Sequence, residues 1–199
     1  LGVPVSHIKE QIAPMLEGFE FKTQKVFKSH LAATDIDVVV TEDQGTSRNY
    51  TDIRAMIENA PLSDAVRKNS MAAFEKIARA EAGIHGKDIE TVHFHEIGGV
   101  DSIVDIVGSF IALEYLGITR VFASDVPLGS GFVECSHGKI PVPVPATIAI
   151  LKDIPVTSSD AQTEIVTPTG AAIIATLGES FGPMPRMQVR QVGYGAGKR

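Results

Sequence analysis

The sequence predicts an α+β fold: a mixed sheet with a buried central helix at about residues 101–116, forming a single compact domain or two small lobes. Three observations predict it. Residues 19–40, FEFKTQKVFKSHLAATDIDVVV, alternate apolar and polar side chains on both sides of a polar centre near Lys28-Ser29-His30, the period-2 signature of a hairpin. Residues 100–117, VDSIVDIVGSFIALEYLG, are apolar almost all the way round: Ile103, Val104, Ile106, Val107, Phe110 and Ile111 cannot share one face, so this helix belongs in the middle of the fold. Finally, 199 residues with 44% hydrophobic content are enough to close a core.

Each further element follows from local chemistry. Residues 41–50, TEDQGTSRNY, are polar and turn-forming, an exposed loop. Residues 51–59 read as a short helix ended by Pro61, and Ser63 caps a longer one with Asp64 in its first turn. Ala73, Phe74, Ile77 and Ala78 form the buried stripe of that helix, and Gly83 is the expected stop. Residues 121–126 read as a buried strand, Gly129-Ser130-Gly131 as a tight turn, and residues 132–135 as a second extended run punctuated at His137-Gly138. Pro141, Pro143 and Pro145 impose an extended entry to a helix at about 146–151. Thr167 or Thr169 caps a compact helix beginning near Gly170. The tail, MQVRQVGYGAGKR, reads as a strand followed by a glycine-rich turn; no helix follows it, so its Gly-x-Gly-x-Gly is not a dinucleotide fingerprint.

Charge narrows the function. Eighteen basic and 24 acidic residues give a net charge of −6, dispersed along the chain, which argues against nucleic-acid or anionic-membrane partners. No apolar run approaches the roughly 20 residues that span a bilayer, and no secretory leader opens the sequence, so a soluble cytoplasmic protein is expected. A single cysteine, Cys135, rules out an internal disulfide and a cysteine-only metal cage. Any metal must therefore be held by His, Asp and Glu.

Such residues cluster in 93–108, HFHEIGGVDSIVDIVG. If 92–96 is extended, Val92 and Phe94 point one way and His93 and His95 the other. Gly98-Gly99 then turns the chain into the central helix, where Asp101, Asp105, Gly108 and Ala112 follow the i, i+4, i+7, i+11 spacing of one edge. On so apolar a helix Asp105 is expected to be buried, and to need a cation, donors or water. Imidazoles with carboxylates suit a divalent first-row metal such as nickel or zinc. The candidate ligands are His93, His95, Glu96, Asp101 and Asp105. Ordinary structural roles compete with this: satisfied histidines, and Asp101 as a first-turn acid favoured by the helix dipole. Anion sites are offered by the backbone amides of Gly129, Ser130 and Gly131 and by the helix start at Thr167, Thr169 and Gly170, which lacks the lysine and spacing of an NTPase loop. Capping and a plain hairpin loop explain the same residues. His137, Lys139 and Arg48 are further polar candidates.

Five blocks, VHFHEIGGVDSIVDIVG, PLGSGFVECSHGKIPVPVPAT, VTPTGAAIIATL, FGPMP and VGYGAG, in this order and spacing, resemble the nickel-insertion protein family represented by LarC. The resemblance implies a nickel chelatase or cyclometallase of the lyase class. Such an enzyme loads Ni(II) into pyridinium-3,5-bisthiocarboxylic acid mononucleotide, hydrolysing CTP and forming a carbon–nickel bond in the nickel-pincer cofactor of lactate racemase. It implies residues 1–199 as that family's N-terminal domain, lacking its usual glycine-rich start. A further C-terminal domain, associated with CTP and a divalent cation (Mn or Mg), is the expected partner, so the fragment alone is expected to be inactive or partly active. Where the family block matching TSRNYTDI often has histidine, this chain has Ser47, while Arg48 and Asp52 match.

The residues and the resemblance converge on transient nickel holding by His93, His95 and Glu96, with Asp101 or Asp105 as ligand or orienter, and on a base that removes a ring proton. Two other readings stand beside it, a metal-dependent phosphoester hydrolase and a non-catalytic scaffold domain. A homo-oligomer is also open.

Overall fold

The computed structural model describes residues 1–28, 30–41, 48–92, 94, 99–135 and 138–197. Its helices are α1 (Val5–Ile12), α2 (Tyr50–Asn59), α3 (Asp64–His85), α4 (Val100–Tyr115), α5 (Pro145–Ile150) and α6 (Pro168–Leu177). The strands are β1 (Phe19–Lys28), β2 (Leu31–Val40), β3 (Val121–Ala123), β4 (Val126–Leu128), β5 (Phe132–Cys135), β6 (Gly138–Pro141), β7 (Val156–Ser158) and β8 (Gly178–Phe181). The α+β class and the central helix are as expected.

The strands do not merge into one sheet. Among the described residues they form four two-stranded ladders. β1–β2 and β5–β6 are antiparallel, whereas β3–β8 and β4–β7 are parallel and join distant parts of the chain. The mixed character is thus spread over small ladders set around a helical core.

That core explains the helices. Phe74 and Ile77 of α3, Ile103, Ile106 and Val107 of α4, and Ile53 and Ile57 of α2 are fully buried, each side chain contributing roughly 1.5–3 kcal/mol by leaving water. α4 packs against α1, α3, α6 and β2. Gly108 lets α1 come close: a Cβ there would sit 3.2 Å from Cγ2 of Ile8. Capping fixes the starts. Asn49 and Asp52 exchange side-chain-to-backbone bonds at the head of α2, and the Ser63 hydroxyl accepts from the Val66 amide at the head of α3.

Three sequence expectations fail locally. α3 runs through Gly83 to His85 and closes at Gly86, whose left-handed conformation (φ 60°) lets its own amide and that of Lys87 reach the Ala82 carbonyl. The strand expected at 121–126 is two strands, because β3 and β4 take different partners on either side of Ser124-Asp125. Of its residues only Val126 is buried; Phe122 is 43% exposed, with the Arg120 guanidinium 4.9 Å above its ring. The tail at 187–197 forms no strand beyond a single parallel bridge between Thr34 and Gly195.

Arg120 also makes two hydrogen bonds to Glu179 across the β3–β8 ladder, at 2.8 and 2.5 Å, and these hold the Glu179 carboxyl below its usual pKa and the guanidinium above its own. Burial, with the Glu75 charge second, raises the Tyr50 phenol. Among the described residues, no helix is long and apolar enough to cross a membrane.

Candidate functional site

One large cleft, about 1020 Å³, opens between the helical core and the ladders. Several stretches of backbone meet there. The inner strand β2 contributes Asp35 and Asp37, which share a face because strand side chains alternate. The end of α3 contributes Glu81 and His85, one helical turn apart and 3.3 Å from each other. The start of α4 contributes Asp101 and Asp105, and the β5–β6 ladder contributes Glu134 and Cys135. The wall opposite is the segment 163–169, with Glu164, Thr167 and Thr169. Among the described residues, seven carboxylates therefore face one cavity, and none of those lining it is Lys or Arg. Such a surface favours cations and disfavours an unshielded phosphate.

The Asp101 and Asp105 edge is legible in the sequence, but its setting differs from the expected one. Asp105 is exposed, not buried. The reason is that the small-residue edge of α4 divides: its first half looks into the cleft, and its second half, at Gly108, is covered by α1. Burial on the other faces of α4 does not extend to this edge. Asp101 occupies the first turn, where the dipole favours an acid.

His93, His95 and Glu96 lie outside the described residues, as does His137. Their neighbours are described: Val92 and Phe94 are both 1% exposed, and the Phe94 amide donates to the Arg48 carbonyl at 3.4 Å. Among the described residues, no three His, Cys, Asp or Glu side chains gather closely enough to hold a metal ion. Arg48 is not among the described residues lining the cleft, and neither is Lys139, whose ammonium sits 5.0 Å above the Phe132 ring.

The two candidate anion elements are largely self-satisfied. The Ser130 amide donates to the Ala161 carbonyl at 2.9 Å, and its hydroxyl donates to the same oxygen at 3.3 Å. Gly129 is glycine for lack of room, since a Cβ would fall 1.8 Å from the Thr163 carbonyl oxygen, and Gly131 faces the Gln162 carbonyl. The turn thus clamps residues 161–163. At α6 the Thr167 hydroxyl accepts from the Gly170 amide at 3.2 Å and lies 2.8 Å from the Thr169 hydroxyl, while Pro168 in the first turn has no N–H to offer.

Sequence reading missed Asp35, Asp37, Glu81, His85, Glu134 and Glu164. The i, i+2 pair in TDIDVV and the i, i+4 pair Glu81/His85 were signals available for four of them. Glu164 had none.

All 199 residues match the family model described as nickel insertion protein. The chain belongs to the nickel insertion protein family. A family member from Acetivibrio thermocellus, named pyridinium-3,5-bisthiocarboxylic acid mononucleotide nickel insertion protein, is 45% identical over 210 residues, covering all of this chain and 52% of the relative. A Desulfitobacterium hafniense protein of the same name is 46% identical over 197 residues, 98% of this chain and 49% of its own length. A Geotalea uraniireducens relative, provisionally named a nickel insertion protein, is 50% identical over 202 residues, with 100% and 52% covered. The chain spans about half the length of the curated relatives it matches. No solved structure matches it.

Proposed function

We propose that this chain supplies the metal-holding cleft of a nickel insertion reaction. Ni(II) is the cargo, and the acceptor is a pyridinium-3,5-bisthiocarboxylic acid mononucleotide. The product would be the nickel-pincer cofactor of lactate racemase, made in a CTP-dependent step that draws on a further domain and its divalent cation. The observation that carries this reading is the cleft itself: Asp101 and Asp105 open into it one turn apart, at the start of the helix that directly follows His93, His95 and Glu96.

The donor chemistry fits a carrier that must let go. Carboxylate oxygens and imidazole nitrogens bind Ni(II) well enough to collect it, and the sulfur ligands of the substrate compete for it as softer donors. Exposed Asp101 and Asp105 can exchange ligands without unpacking the core. The cleft's own charge keeps the substrate phosphate at its edge, where the linked hydroxyls of Thr167 and Thr169 at the head of α6 line the wall. The 129–131 turn is less suited, because its Ser130 amide is already bonded.

Calorimetric titration of the chain with Ni(II) tests the reading. The double variant His93→Ala/His95→Ala is expected to lose at least about tenfold in affinity, since orienting groups alone are worth 10–100-fold. Tight binding unchanged in that variant would remove the site. Turnover of a phosphodiester with Mn(II) and no CTP would instead favour a hydrolase.

A further inference from the structure

We infer that Glu164 is the proton acceptor of the insertion step, an inference that rests on the nickel insertion reading above. Among the described residues it is the most buried of the seven carboxylates facing the cleft, at 8% exposure; the Glu81 side chain, paired with His85, is 13% exposed, and Asp101, Asp105 and Glu134 are exposed. Burying a carboxylate costs free energy unless the surroundings hold it, so its place in the wall is a defined one.

The backbone around Glu164 shows how it is held. Upstream, the Ser159 amide donates to Leu128 at 3.0 Å, Ser130 donates to Ala161, and the Thr163 carbonyl presses on Gly129 with no room for a side chain. Downstream, the Val166 carbonyl accepts from the buried Thr147 hydroxyl at 3.3 Å, and Thr167 caps α6. Glu164 is thus bracketed by fixed main chain on both sides, the pre-organisation a reacting group needs and a surface acid lacks. The glycine turn acquires a purpose it did not have as an anion site.

Chemistry divides the carboxylates further. Asp101 and Asp105, if they carry Ni(II), are not free to take up a proton at the same moment. In the step assigned to Glu164, the ring C–H bond of the pyridinium breaks heterolytically. Its electron pair becomes the carbon–nickel bond, nickel stays at +2, and the proton passes to a carboxylate oxygen of Glu164. No oxidant or reductant is required.

The test uses the full-length protein that carries this chain, with Ni(II), CTP and the pyridinium bisthiocarboxylate mononucleotide. Nickel binding is read by calorimetry and product by its mass, one nickel gained and one proton lost. Glu164→Gln is expected to bind Ni(II) within about twofold of wild type and to form product roughly 10²–10⁴-fold more slowly, the usual worth of a general base. Glu164→Ala is expected to recover part of that rate with added formate, in proportion to its concentration. Product formation by Glu164→Gln at the wild-type rate would overturn the assignment, and so would a parallel loss of nickel binding, which marks a ligand. If Glu164→Gln does not fold, the alanine variant decides: no recovery with formate assigns a structural role. If the wild-type protein forms no nickelated product, it is the insertion reading that fails, before any variant is made.

Discussion

Two helices begin at the same cleft and are built differently. α6 arrives complete: Thr167 caps it, Pro168 fills its first turn without wasting a donor, and the approach to it is packed against Gly129 at Thr163 and hydrogen-bonded to Thr147 at Val166. α4 begins at Gly99, which has no side chain to cap with, and carries Asp101 and Asp105 out into the cavity. A start that satisfies itself makes a good wall. A start that presents acids beside a histidine-bearing segment makes a better place to exchange a metal.

The contrast can be broken from the α6 side first. Gly129→Ala drives a Cβ into the Thr163 carbonyl, and backbone cannot yield as a flexible side chain would, so a loss of about 1–3 kcal/mol is expected in denaturant unfolding. If stability is unchanged, the clamp is not rigid. Thr167→Ala removes the cap and should cost about 1 kcal/mol, with nickel affinity unaltered by calorimetry. On the α4 side the smallest stability effect is expected. Asp101→Asn gives up roughly 0.3–1 kcal/mol of dipole interaction and relieves roughly 0.2–0.5 kcal/mol of repulsion from Asp105, leaving a net change of under about 1 kcal/mol. The same variant should weaken Ni(II) binding, so substitution at α4 acts mainly on affinity and substitution at α6 on stability alone.

What the sequence made legible follows a pattern. The hairpin, the cap at Ser63, the cap at Thr167 or Thr169 and the central helix were readable because each is decided by neighbours in the chain. Gly83 misled because a glycine inside a helix and a glycine ending one look alike until Gly86 takes the positive φ. The split at 124–125 and the shapeless tail were hidden because β3, β4 and residues 194–196 take partners far away in sequence. For the site, helix spacing put Asp101 and Asp105 together, but only packing shows that α1 covers one half of that edge and spares the other. Glu164 was beyond reach, since the segment that carries it is set against Gly129, from another part of the chain.

The β1–β2 ribbon has one more consequence. A long two-stranded ribbon has two free edges, and free edges recruit other strands. Here the β2 edge is occupied at Thr34, whose amide donates to the Tyr194 carbonyl at 2.9 Å and whose carbonyl accepts from the Ala196 amide at 2.9 Å. The β1 strand carries Lys22, Lys25 and Lys28, charges that discourage an incoming strand. The irregular tail therefore acts as a guard against open-ended assembly, letting an acid-bearing ribbon line a cleft without templating aggregation.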